Sequence, residues 1–146
     1  MAQVFDVAAY ILAAAGPMTT MKLQKLCYYA QGWSLAWDEV PLFPEPIGAW
    51  ASGPVVPALH DKHRGRFNLE PGDIAGDPEA LTAEQRDTVD AVLEAYGGLT
   101  GHQLSLKTHE EIPWLRAHDR QDTGGADITV SLDDMQEFFS GLAAQQ

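Results

Sequence analysis

The residues of this chain best equipped for chemistry are its five histidines, its single cysteine and a short run of carboxylates. His60 and His63 stand three apart with Asp61 between them, so a helix would set both imidazoles on one face. That supplies two of the three or four converging ligands that zinc needs. His102, His109 and His118 are spread along the second half, and no HExxH or comparable signature accompanies them. The histidines therefore read as surface or capping residues, and no metal site is expected. Cys27 falls on an apolar stripe with Leu23, Leu26 and Ala30, where a thiol behaves as a small hydrophobe and resists ionisation. His109, Glu110 and Glu111 would suit acid–base work, but adjacent carboxylates at a helix end usually face solvent. The phosphate-cradling patterns GxxxxGKS, GxxxxGKT and GxGxxG are absent. No catalytic residue and no cofactor is predicted.

Aromatic groups are the richer resource. Trp33, Trp37, Trp50 and Trp114, with Tyr28 and Tyr29, crowd mainly into the first third. Tyr28 and Tyr29 are about 100° apart on a helix, which predicts that at least one lies at the edge of the core or on the surface. Trp50 alternates with Ile47 and Ala49, so in a strand it points away from them. Trp33 reads as core.

The elements that must position these groups can be drawn from caps, breakers and periodicity. A first helix is predicted from about Gln3 to Ala15, stopped by Gly16-Pro17. A second begins near Thr19 or Thr20 and runs to about Trp37, with Leu23, Leu26, Cys27, Ala30, Trp33 and Trp37 inward and Lys22, Lys25, Gln31 and Ser34 mostly outward. Five prolines between 38 and 57 exclude a long helix there. Extended pieces fit near Leu42-Phe43 and Ile47–Ala51, and a third around Ala126–Val130 could pair with them. Pro57 suits the first turn of a short helix ending near His63, followed by a loop over 64–80. Thr82 with Gln85 opens a helix reaching Tyr96, and Thr100 with Gln103 opens another, with Leu99 and Leu104 placed as a hydrophobic staple. Pro113 begins a turn or short helix, and Ser131 caps a last helix carrying Met135, Phe138, Phe139 and Leu142. The fold class is mainly α: one compact domain over 1–146, with about six helices and a small two- or three-stranded antiparallel β element.

Composition bounds the partners. The chain has 146 residues and a net charge of −12. Residues 1–70 carry five Lys/Arg against six Asp/Glu, whereas 71–146 carry four against fifteen. Such a surface repels nucleic acid, whose affinity comes mainly from phosphate neutralisation, and weakly favours a basic protein. No apolar run approaches the roughly 20 residues of a membrane span. The N-terminus lacks the basic region of a signal peptide and carries Asp6, so it reads as an ordinary helix. One cysteine permits no internal disulfide and suggests a reducing cytoplasm.

Three blocks in this order carry a further signal: LQKLCYYAQGWSLAW (23–37), PLF with IGAWASGPVVPALH (41–43 and 47–60), and LTGHQLSLKTHEEIPW (99–114). Together they resemble the Panacea domain family of SocA-like antitoxins, also called the phage GepA-type domain. Cys27 stands where leucine is common in that pattern, and Lys107 where a more apolar residue is frequent. The resemblance implies a mainly helical antitoxin of a toxin–antitoxin system that neutralises a cognate toxin, encoded by an adjacent bacterial or phage gene, by direct binding. It transfers no catalytic residue. Two alternatives follow: an adaptor delivering the bound toxin to an ATP-dependent protease, or an enzyme reversing the toxin's modification with a pocket near His109 and Glu110. No nucleic-acid or membrane partner is expected. The binding face is placed at Tyr29, Trp50, Pro54, His60, His109 and Trp114, with Gly53 serving backbone geometry ahead of Pro54.

Overall fold

The computed structural model describes residues 1–122 and 128–145. Its centre is helix α2 (Thr20–Trp37), started by Thr19, whose hydroxyl accepts from the Lys22 N–H at 3.1 Å. Every residue from Leu23 to Leu35 is buried, because helices pack around α2 and the proline-rich segment covers the remaining side. The neighbours are α1 (Val4–Ala15), α4 (Ala83–Tyr96), α5 (Gly101–Thr108) and α7 (Leu132–Ala144); α6 (Ile112–Asp122) packs on α7. Gly32 makes the closest crossing possible: a Cβ there would overlap the Phe139 ring of α7. The predicted starts of α4, α5 and α7 hold, with Thr82, Thr100 and Ser131 each accepting a backbone N–H three residues on. Leu104 is buried and Leu99 packs against the same core, as a staple requires.

Burial on all sides overturns part of the expected division of α2. Lys25, Gln31 and Ser34 are inside rather than outward, and Tyr28 and Tyr29 are both fully buried. Trp37 is the reverse: placed on the inner stripe by its spacing, it is 42% exposed and stacked on Trp33 at 4.5 Å, at the last residue of the helix.

The segment after α2 departs from expectation too. Leu42 and Phe43 form no strand. Their N–H groups both donate to Gln31 Oε1, at 2.7 and 3.2 Å, while Gln31 Nε2 donates to the Phe43 carbonyl at 2.9 Å. A side-chain amide thus does for this proline-flanked stretch what a partner strand would do. Strands β2 (Gly48–Trp50) and β3 (Gly53–Val55) form an antiparallel hairpin in the register Gly48↔Val55 and Trp50↔Gly53. The predicted third piece does lie alongside. Thr129 bridges Gly48, the Ala49 N–H donates to Ile128 and the Val130 N–H to Ile47; Ala126 lies outside the described residues. Helix α3 (Pro57–His63) has the expected bounds. The sequence did not suggest a second antiparallel pair, β1 (Met18–Thr19) with β4 (Asn68–Leu69), which pins part of the 64–80 loop to the start of α2. Nor did it distinguish α6 from a turn. Among the described residues no helix is long and apolar enough to cross a membrane.

Candidate partner-binding site

The β2–β3 hairpin ends in the turn Trp50-Ala51-Ser52-Gly53, where Gly53 adopts φ +113°, a conformation that side-chain-bearing residues rarely take. Almost every carbonyl around this turn is held by a side chain from another element. The Trp114 indole N–H donates to Trp50 at 2.8 Å, and His109 Nε2 lies 2.7 Å from the Ala51 oxygen. Ser105 Oγ donates to Ser52 at 2.6 Å and Lys25 Nζ donates to Pro54 at 3.0 Å. The block LTGHQLSLKTHEEIPW supplies three of these four groups. Ser105 and His109 are four apart on the face of α5 and its C-cap, and Pro113 in the first turn of α6 brings Trp114 beside them. Trp114 meets the His109 ring edge-on at 4.3 Å and stacks on His118 at 4.5 Å, which fixes the indole.

Between the hairpin, the first half of α2 and α3 lies a cleft of about 160 Å³, bordered by Met21, Gln24, Lys25, Trp50, His60 and His63 among others. Gln24 forms the back wall. Its Oε1 accepts the Val56 N–H at 2.8 Å, and its Nε2 donates to the Val56 carbonyl at 3.3 Å and faces His63 Nε2 at 3.0 Å. Because Nε2 of Gln24 can only donate, the facing His63 nitrogen accepts, which makes that ring neutral. Burial and the neighbouring His60 hold His63 below the usual imidazole range, in agreement with that contact. Lys25 is 1% exposed, and loss of water pushes its amine down to about 8.

Behind the hairpin sits a second buried ionisable group. Both oxygens of Glu111 accept tyrosine hydroxyls, from Tyr28 and Tyr29, each at 3.1 Å. Burial is the main cause that raises its carboxyl to about 7; the two hydroxyls act against that rise. Tyr29 in turn stacks on Tyr96 at 4.1 Å. Burial above all lifts the Cys27 thiol to about 12, as its apolar surroundings predict. Among the described residues no group of three His, Cys, Asp or Glu could hold a metal ion.

The structure gathers five of the six residues expected at the binding face and removes the sixth. Trp50 is 37% exposed on the rim of the cleft, and the half-buried His60 meets it edge-on at 4.9 Å. Pro54 and Trp114 are buried and His109 half-buried; the two rings hold the turn, and the Pro54 carbonyl is itself held by Lys25. Tyr29 is a correction: it lies wholly inside, held by Glu111 and Tyr96, and presents nothing to a partner. Sequence reading missed Gln24, Lys25, His63 and Glu111. The visible signal was the repetition of Gln24 and Gln31 seven residues apart in the helix, the spacing of two turns on one face.

The family model described as antitoxin SocA-like, Panacea domain, matches residues 23–115. This chain belongs to that family. No curated protein and no solved structure gives a match. The matched stretch of the Panacea domain starts at Leu23 on α2 and ends just past Trp114, so it contains the hairpin and all four side chains that hold its turn.

Proposed function

We propose that this Panacea-domain protein is an antitoxin that neutralises a cognate toxin, the product of an adjacent gene, by direct binding at the rim formed by Trp50, His60 and Met21. The observation that carries this reading is the family match over the segment that builds and braces the hairpin. Physical chemistry supports the location. Trp50 and Met21 expose large apolar surface beside a cleft, and tryptophan is among the side chains most enriched where binding energy concentrates. The turn that carries Trp50 is fixed by hydrogen bonds from α2, α5 and α6, so little backbone freedom remains to be lost on association.

The test is co-expression with the neighbouring gene product, followed by size exclusion of the pair with wild type and Trp50→Ala. Wild type rescues growth and co-elutes at a fixed ratio. Trp50→Ala keeps its helical circular dichroism and loses about a hundredfold in affinity, the scale of an interface tryptophan. Undiminished affinity in a folded Trp50→Ala would place the interface elsewhere.

A further inference from the structure

We infer that the cleft beside Trp50 takes an acidic side chain of the docking partner, its carboxylate seated against Lys25 Nζ and its methylene groups along the Trp50 indole. This rests on the reading that the toxin docks at the Trp50 rim, and it adds the chemistry of one contact. An ammonium carries three donors, and the only hydrogen bond of Lys25 among the described residues goes to the Pro54 carbonyl. The ion pairs of the described residues are Arg64–Asp61, Arg66–Asp73 and those of Arg116 and Arg120 with Asp134, all away from Lys25. A buried cation without a counter-charge is costly, and an arriving carboxylate relieves that cost while satisfying free donors.

The surroundings match this occupant. Among the described residues no Asp or Glu borders the cleft. His60 and His63 lie on its wall, as do Thr20 and Met21 of the first turn of α2. Gln24 cannot take the role, because its amide is committed to Val56 and His63. One ammonium between the apolar walls of Trp50, Met21 and Val55 suits a singly charged group on a short aliphatic stem; phosphate dianions are usually met by several donors or a guanidinium.

The probe is N-acetyl-glutamate α-methylamide, titrated into the full chain and followed by NMR at the Trp50 indole N–H and the Lys25 side chain. N-acetyl-glutamine α-methylamide and inorganic phosphate are titrated in parallel. The acid gives saturable shifts and binds about tenfold or more tightly than the amide, the scale of a hydrogen bond to a charged group. Lys25→Met abolishes that preference, and Lys25→Gln, which keeps a polar tip, does the same. Equal response to acid and amide, no response to either, tighter binding of phosphate, or a preference that survives both substitutions would overturn the inference. The two readings fail separately. Loss of toxin binding in Trp50→Ala with no acid preference leaves the docking rim standing and removes the acidic anchor. Acid preference with unaltered toxin binding in Trp50→Ala leaves a carboxylate site and removes the toxin as its source.

Discussion

Lys25, on α2, and Glu111, held by two tyrosines of α2, are both buried and both pushed toward neutrality, the acid up to about 7 and the amine down to about 8, each chiefly by loss of water. Their surroundings differ. Glu111 has a tyrosine hydroxyl on each oxygen, whereas Lys25 has one carbonyl and borders a cleft. The glutamine clamps repeat the contrast. Gln31 grips Leu42 and Phe43 alone, while Gln24 grips Val56 and also reaches His63 at the cleft wall. One polar set is closed and belongs to the architecture. In the other, Gln24 is equally committed, but Lys25 makes a single hydrogen bond among the described residues and borders a cleft, where recognition can use its remaining donors.

That comparison can be broken at three points. The largest effect is expected from Gly53→Ala, which forces the open region onto its neighbours. Its Cβ would sit 2.8 Å from Thr108 Oγ1 and 2.9 Å from Lys25 Cε, at a φ of +113°. Strain and overlap together should destabilise by about 4 kcal/mol, read from urea unfolding. Next, truncation of the two ionisable groups should give opposite signs. Glu111→Ala strands two buried tyrosine hydroxyls and loses about 3 kcal/mol. Lys25→Met removes an uncompensated charge at nearly constant volume and gains about 1 kcal/mol at neutral pH. A loss in both would mean that Lys25 is as fully satisfied as Glu111.

The smallest effects lie in the pH dependence, which sharpens the contrast. Lys25 has a folded value near 8, below its ordinary 10.5. The unfolded chain therefore binds more protons between those values, and this group raises stability as pH climbs from about 8 to 10.5. Glu111 runs the other way. Its folded value near 7 exceeds the ordinary 4.5, so its contribution is full below 4.5 and is lost as pH rises through 7. His63, held below the ordinary 6.5, weakens the fold as pH falls beneath that value. Urea midpoints across pH 4 to 10.5 for wild type, Lys25→Met and Glu111→Gln isolate the first two groups by difference. Coincident wild-type and Lys25→Met slopes above pH 8 would refute the assignment for the amine.

Local chemistry made much of this fold legible. Thr19, Thr82, Thr100 and Ser131 announce helix starts through hydroxyls that reach only three residues, and Pro57 sets α3 by its own ring. Trp50 points outward because strand alternation is local too. The polar core was illegible for the opposite reason. Gln24 answers to Val56, Lys25 to Pro54 and Tyr28 to Glu111, separations of 32, 29 and 83 residues. Amphipathic reasoning assigns polar residues to water unless a partner is known, and these partners come from other elements. Tyr29 was expected at the edge because it stands about 100° from Tyr28, an argument that assumes one narrow buried stripe. Helix α2 is buried from Leu23 to Leu35, and the Tyr29 hydroxyl finds a carboxylate 82 residues away.

The bracing of the hairpin also dictates when this surface can exist. Its turn is held by His109 and Trp114, which lie 58 and 64 residues beyond the carbonyls they bind. During synthesis from the N-terminus, α2 and the hairpin sequence leave the ribosome well before those two side chains do. A nascent chain cut short before Trp114 therefore carries Trp50 but not the geometry that presents it. The braced hairpin arrives late and as a unit, only once Trp114 has been made.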